Sequence, residues 1–337
     1  MVLSGCGPAP ESGGGDEAAS DSCVRMVTNS GGLEDRSFNQ ASWEGLQDAE
    51  SEYGIGAEAI VSTGETDLAP NVQQAVDSGC ELIVTVGWEL ADATLSQAED
   101  NPDLAFAIVD ETVEADNVKP VVFDTAQASF LAGYLAAGVS KTGIVATFGG
   151  SNQPPVTLFM DGFVDGVAEY NRAHGTAVRV LGWDKATQDG AFTGDFEDIN
   201  KGKALTESLI DQGADVILPV AGQVGEGTTS AALERGGVSV IWVDSDGYES
   251  LAEEFRPVLL TSVLKNTQDA MVEIVGAVLD DSFTNDPYVG TLENGGVEIA
   301  PYHDLSPLVS AELDAEIEEL RQRIISGELV VESPSAP

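Results

Sequence analysis

The chain of 337 residues carries 58 acidic against 14 basic side chains, a formal net charge of −44, on a composition that is 42% hydrophobic. Such a charge repels nucleic acid and anionic lipid headgroups, which argues against a nucleic-acid partner and disfavours a phosphorylated small ligand. No run approaches the about 20 apolar residues of a membrane span, and the length exceeds what one hydrophobic core usually holds, so two α/β lobes are expected.

The first segment reads as processing site and tether. Leu3-Ser4-Gly5-Cys6 has the form of a lipobox, in which a signal peptidase cuts before a cysteine that then receives lipid. The charged and apolar regions that precede a lipobox are missing, so the chain is expected to begin inside its signal peptide. Residues 7–22 are rich in Gly, Pro, Ser, Glu and Asp and bury too little apolar surface to fold. Residues 1–22 are therefore set apart as truncated signal and flexible linker.

The folded part opens on a β-type run at 24–27 and a polar turn, Thr28-Asn29-Ser30-Gly31-Gly32-Leu33-Glu34-Asp35-Arg36-Ser37-Phe38-Asn39-Gln40. A helical pattern follows, with Trp43, Leu46, Ala49 and Tyr53 on one face. The glycine pair frees the backbone to turn after the strand. Asp35, Ser37 and Asn39 are short polar side chains of the kind that cap helix N-termini. A first strand, a glycine turn and a helix start is where open α/β sheets hold ligands. Phe38 is a large aromatic in a polar turn; it either packs down or meets a flat ligand.

Strands are predicted at 57–61, 82–86, 104–109 and 121–123, with helices at 69–77 and 91–99. A helix at 127–139 is apolar nearly all round, which means burial. After a strand at 143–148 comes the clearest helix, with Val156, Phe159, Met160, Phe163, Val167 and Tyr170 on one stripe. Strands at 177–181, 215–220, 238–243 and 258–263 alternate with helices at 202–212, 227–234 and 249–254. A helix at 266–279, a β-rich stretch at 288–299 and a helix bearing Leu313, Ile317, Leu320 and Ile324 complete the chain. The Pro- and Ser-containing tail, 332–337, is expected to be loose. The alternation specifies an α/β protein with mostly parallel sheets and helices on both faces.

In a doubly wound sheet of order 2-1-3, the first and third strands are parallel neighbours. Cys23 and Cys80 stand just before them, so their backbones would lie about 5 Å apart, within disulfide range. A Cys23–Cys80 bridge is expected, with two separate buried thiols as the alternative.

Asp35, Asp110, Asp124, Asp244 and Asp246 fall at or just after strand ends, on the side that faces a ligand cleft. Carboxylates there accept hydrogen bonds from ribose hydroxyls and base N–H groups; each alone also reads as a helix cap or turn residue. Lys265 ends a strand and can donate to a ribose oxygen while neutralising carboxylates. Phe38 can stack on a base. Enzyme patterns are weak. His174 and His303 are not in metal-ligand spacing, no Gly-x-Ser-x-Gly elbow occurs, and Gly225-Glu226-Gly227 is too short for a dinucleotide fingerprint. Asp244-Ser245-Asp246-Gly247 leaves one enzyme alternative, a nucleoside-cleaving site with a Ca²⁺ held by Asp244 and Asp246.

Residues 30–40 (SGGLEDRSFNQ) with Trp43-Glu44-Gly45 resemble the opening motif of the basic membrane protein family, lipoprotein substrate-binding components of ABC importers that include purine-nucleoside receptors. Further ordered matches are residues 130–137 (FLAGYLAA), 213–217 (GADVI) leading to Ala221-Gly222, 243–246 (VDSD) and 261–266 (TSVLKN). The resemblance spans roughly residues 24 to 330. It implies the type I periplasmic-binding-protein fold, two doubly wound lobes joined by a hinge that closes on ligand. In that fold the first lobe is expected to hold 23–125 and 245–264, the second 126–244, with 265–331 packing across both. The resemblance also implies an extracytoplasmic, lipid-anchored monomer without cofactor or metal, which hands a nucleoside to an ABC permease. Residue by residue it implies Phe38 for the base face, Asn39 and Asp124 for base edges, Asp244 and Lys265 for ribose, and backbone at Gly222 closing the site. Purine receptors of the family hold the base between two aromatics; Trp88, Trp183 and Phe192 are the candidates for the second. A sugar or signal-molecule receptor on the same fold is the alternative, because fold does not fix ligand.

Overall fold

The computed structural model describes residues 22–337; the lipobox cysteine, Cys6, lies outside them. The first lobe is built from β1 (Cys23–Thr28), α1 (Phe38–Tyr53), β2 (Gly56–Ile60), α2 (Glu65–Asp77), β3 (Leu82–Val86), α3 (Ala91–Asp100), β4 (Ala105–Val109) and β5 (Val118–Phe123). β1 pairs in parallel with both β2 and β3, and β4 and β5 extend the sheet. Every residue of β3 is buried, as a central parallel strand with both faces covered requires. The 2-1-3 order brings Cys23 and Cys80 together, and they form a disulfide with Cα atoms 4.8 Å apart.

The second lobe follows as α4 (Thr125–Val139), β6 (Ile144–Gly149), α5 (Pro154–His174), β7 (Arg179–Leu181), the small hairpin β8 (Trp183–Asp184) and β9 (Asp189–Gly190), α6 (Ile199–Asp211), β10 (Val216–Val220), α7 (Gly225–Arg235), β11 (Ser239–Asp244), the short α8 (Gly247–Ser250) and β12 (Leu259–Lys265). The chain then supplies α9 (Thr267–Leu279), β13 (Tyr288–Gly290), β14 (Val297–Ile299) and α10 (Ala311–Ile325). β13 joins the first sheet beside β5, whereas β14 closes the second beside β12, antiparallel. α9 packs on α1, and α10 on α4. The chain therefore crosses between lobes after Phe123, after Lys265, and between Gly290 and Val297.

The expected lobe boundary is corrected in one respect. Residues 245–264 do not return to the first lobe: β12 pairs with β11, Val263 opposite Val243, inside the second sheet. A strand buried along nearly its whole length is equally at home in the centre of either sheet. The apolar run thus announced a central strand without saying which sheet it entered. The tail is also corrected. Val331 is buried, Ser333 Oγ donates to Asp161 at 2.7 Å, and Ser335 and Thr157 hydroxyls meet at 2.8 Å, so residues 332–337 are held against α5 rather than loose.

α4 and α5 form the tightest helix pair, and their contact aims the start of α5 at the cleft. A Cβ on Gly166 would stand 1.9 Å from the Phe130 carbonyl oxygen, and one on Gly133 2.1 Å from that of Phe163. Only glycine permits that approach.

Candidate functional site

The polar turn after β1 is held from within. Asp35 accepts from the backbone N–H groups of Ser37 (3.1 Å), Asn39 (2.8 Å) and Gln40 (3.0 Å), which caps α1. Burial pushes the Asp35 carboxyl above its usual range, and those three N–H groups pull it back. The same turn grips the other lobe. The Arg36 carbonyl accepts from Trp242 Nε1 (3.2 Å) and from Ser245 Oγ (2.8 Å). Ser37 Oγ donates to Asp244 Oδ2.

Lys265, the last residue of β12, lies buried at the first return crossing. Its ammonium reaches Asp110 of the first lobe at 2.5 Å and Asp244 of the second at 3.5 Å. It also lies 5.0 Å from the centre of the Phe38 ring, 5.7 Å from Phe123 and 5.4 Å from Phe159. Burial pulls the lysine down, but the two carboxylates outweigh it and hold the ammonium above its ordinary value. Burial pushes Asp110 upward against the pull of Lys265. Asp110 and Asp244 both adopt left-handed backbone conformations, φ 64° and 68°, unusual for residues with a Cβ.

These groups border a cavity between the lobes. Phe38 and Trp88 face it from the first lobe, Phe159 and Phe196 from the second. Gly222, at φ 53°, borders it with bare backbone, and a Cβ there would stand 3.7 Å from Phe196.

Of the residues expected from sequence, Asp35, Phe38, Asn39, Asp110, Gly222, Asp244 and Lys265 are brought together around this cavity. Asp124 and Asp246 are not. Asp124 precedes α4 and accepts from Gln127 Nε2 at 2.7 Å. Asp246 caps α8 and meets His303 Nε2 at 2.7 Å. Asp244 and Asp246 therefore point to different partners, which removes the geometry that the Ca²⁺ alternative needs. Among the candidates for a second aromatic, Trp88 borders the cavity. Trp183 is buried with its indole donating to Asp161 at 2.8 Å, and Phe192 packs edge-on against it.

Sequence reasoning missed Asn29, Glu89, Phe159 and Phe196. Phe159 was legible as part of the stripe on α5; the added fact is that the first turns of this helix start at a strand's carboxyl end and so face the cleft. Phe196 lies in a stretch without periodicity, and no signal in the sequence marks it.

A family model described as ABC transporter substrate-binding protein PnrA-like, the Bmp family, matches residues 23–335. The chain belongs to this family. The ABC transporter nucleoside-binding protein BmpA of Lactococcus lactis subsp. cremoris is 30% identical, over 98% of this chain and 95% of that protein. The CD4+ T-cell-stimulating antigen of Listeria innocua is also 30% identical, over 98% of this chain and 94% of its own. Among solved structures, an ABC transporter solute-binding protein from Aeropyrum pernix K1 superposes with a TM-score of 0.80 at 25% identity, covering 92% of this chain and 94% of that one. A second, from Conexibacter woesei, has a TM-score of 0.72 at 20% identity, over 94% of this chain and all of that one. The Bmp chain is thus a substrate-binding protein of the ABC-transporter class, and its two lobes have the type I periplasmic-binding fold.

Proposed function

We propose that this Bmp protein captures a nucleoside with a purine base between its lobes and delivers it to an ABC permease. It does so at the extracytoplasmic face of the membrane, held there by lipid on Cys6. One observation carries the ligand class: aromatic faces from both lobes and a carboxylate–lysine cluster share one cavity. A base wants a flat apolar face, and a ribose diol wants acceptors. Phe38 and Phe196 supply faces from opposite lobes. Asp244 and Asp110 supply acceptors, and Lys265 supplies a donor. The nucleoside-binding relative in Lactococcus supports the same class. A ligand that touches Asp110 and Asp244 together is bound well only by the closed form, so it shifts the protein toward closure.

Calorimetric titration with inosine, its 2′,3′-dideoxy analogue, its 5′-monophosphate and free ribose tests the reading. Inosine should bind tightest. The dideoxy analogue lacks the hydroxyls that the aspartates accept, and the monophosphate brings a dianion to be desolvated beside carboxylates. Phe38→Ala should cost about 1–3 kcal/mol in base stacking. Ribose binding as tightly as inosine, with Phe38→Ala silent, would replace this reading with a sugar receptor.

A further inference from the structure

Three polar side chains form a line along the first-lobe wall of the cavity. Asn39 Nδ2 donates to Asn29 Oδ1 at 2.8 Å. Asn29 Nδ2 donates in turn to the Glu89 carboxylate, at 3.3 Å from Oε1 and 3.4 Å from Oε2. The backbone is shaped around this line. Asn29 N donates to the Val86 carbonyl at 3.2 Å, and Gly87 passes beneath at φ 110°. A Cβ on Gly87 would stand 2.7 Å from Glu89 Oε2 and 2.9 Å from Asn29 Nδ2; one on Gly31 would stand 3.1 Å from Asn39 Nδ2. All three polar residues border the cavity. The far end of the line is open: Asn39 Oδ1 is buried without a hydrogen-bond partner among the described residues.

The order of donors and acceptors along this line has a chemical cause. A primary amide offers two donors at one end and an acceptor at the other, whereas an ionised carboxylate only accepts. Asn29 must therefore turn its NH₂ toward Glu89, which leaves its carbonyl for Asn39. Asn39 must then turn its own NH₂ toward Asn29, which leaves its carbonyl oxygen for the ligand. Neither asparagine has an intrinsic preference between its two flips. The acceptor-only group at the end of the line chooses for both.

We infer that Glu89 is a positioning residue that fixes, through Asn29, the amide orientation of Asn39, so that the site selects ligands with an N–H at that point. The inference rests on the nucleoside reading above and specifies the base edge: a purine carrying a ring N–H or exocyclic amino group, against one that carries only acceptors. An unpaired buried acceptor is unfavourable, so a ligand that brings a second acceptor to Asn39 Oδ1 is discriminated against. The signature is a ratio of affinities, because loss of packing around Glu89 would move all nucleosides together.

The experiment is calorimetric titration of inosine and of purine riboside, whose base has acceptors only. The proteins are wild type, Glu89→Gln, and the double variant Asn29→Asp with Glu89→Gln. Burial pushes the Glu89 carboxyl upward, so the titrations are run at pH 8. Wild type should prefer inosine by about tenfold or more, the scale of one buried acceptor left unpaired. Glu89→Gln should shrink that preference to about threefold or less, since a glutamine offers either end to Asn29 and frees both flips. The double variant exchanges carboxylate and amide along the same line at constant charge. The carboxylate then at position 29 would accept from both neighbours, so the inosine preference should return. A preference unchanged in Glu89→Gln, or not restored in the double variant, overturns the relay and leaves the nucleoside reading standing. A wild type that binds neither compound overturns both.

Discussion

Of the five aspartates expected at the cleft, Asp110, Asp124, Asp244 and Asp246 divide into two pairs. Asp110 follows β4 and Asp244 ends β11; both turn left-handed, both are nearly buried, and both reach Lys265. Asp124 follows β5 and Asp246 follows β11 by two residues; their φ values are −79° and −71°, and both sit at a helix start. The difference between the pairs is one backbone dihedral. At their helix starts both side chains stay on their own chain: Asp246 accepts from the Tyr248 N–H, and Asp124 from the Gln127 side chain one turn on. A left-handed residue breaks the chain's direction and is free to aim its side chain across the cleft. Such conformations cost of order 1–3 kcal/mol and persist where the surroundings enforce them. Here the buried lysine and the Ser37 hydroxyl do so.

The largest test removes a partner from each pair. Lys265→Met leaves two buried carboxylates facing one another, and breaking a buried pair in this way costs about 3–5 kcal/mol. His303→Gln removes the partner of Asp246 from a half-buried contact and should cost about 1 kcal/mol or less. Urea denaturation of the two variants should show this ordering; equal losses would mean that the cleft cluster contributes no more than a surface contact.

The next test addresses the carboxylates themselves. Asparagine tolerates the left-handed region, so Asp→Asn changes the charge while leaving the backbone alone. Asp110→Asn and Asp244→Asn should each weaken inosine by about tenfold or more, the scale of a charge-assisted hydrogen bond. Asp124→Asn and Asp246→Asn should leave affinity within about twofold. A tenfold loss in either of the second pair would show that strand-end position alone recruits a side chain to the ligand.

This division marks how far the sequence could be read. Alternating apolar runs and turn residues located nearly every strand and helix, because burial on both faces of a parallel sheet leaves a continuous apolar signature. The 2-1-3 order was enough to join Cys23 to Cys80. Strand ends were legible too, and so were the five aspartates as a set. What the pattern does not carry is a dihedral at one residue, so Asp110 and Asp124 looked alike. Nor does it carry the sheet that a strand chooses, as β12 shows. Asn29 and Glu89 were invisible as a pair because sixty residues separate them, and only the adjacency of β1 and β3 brings them together.

The smallest effect is the dependence of stability on pH, and it separates charge that is buried from charge that is merely abundant. Burial pushes the carboxyls of Asp35, Glu89, Asp110 and Asp124 above their ordinary values, 3.8 for aspartate and 4.5 for glutamate. A carboxyl raised in the folded state holds its proton more tightly there than in the unfolded chain. Between the ordinary and the raised value the folded state thus binds more protons, and stability rises as pH falls into that window. Below the ordinary values both states are protonated and the gain stops. Asp67, Glu169 and Asp195 are shifted the other way by hydrogen bonds to Thr63, Arg172 and Lys201, but they lie near the surface, where solvent screens them. The net charge of −44 adds self-repulsion that weakens on protonation, and this part is screened by salt. The melting temperature should therefore rise as pH is lowered from neutrality toward the ordinary carboxyl values. In 0.5 M salt the rise should shrink without vanishing, because the buried carboxyls are shielded from the ions. Asp124→Asn should make what remains smaller, by the share of that one carboxyl, while leaving inosine affinity intact. A melting temperature that falls over this range, or a rise that disappears entirely in salt, would place the pH dependence on the surface and not in the buried carboxyls.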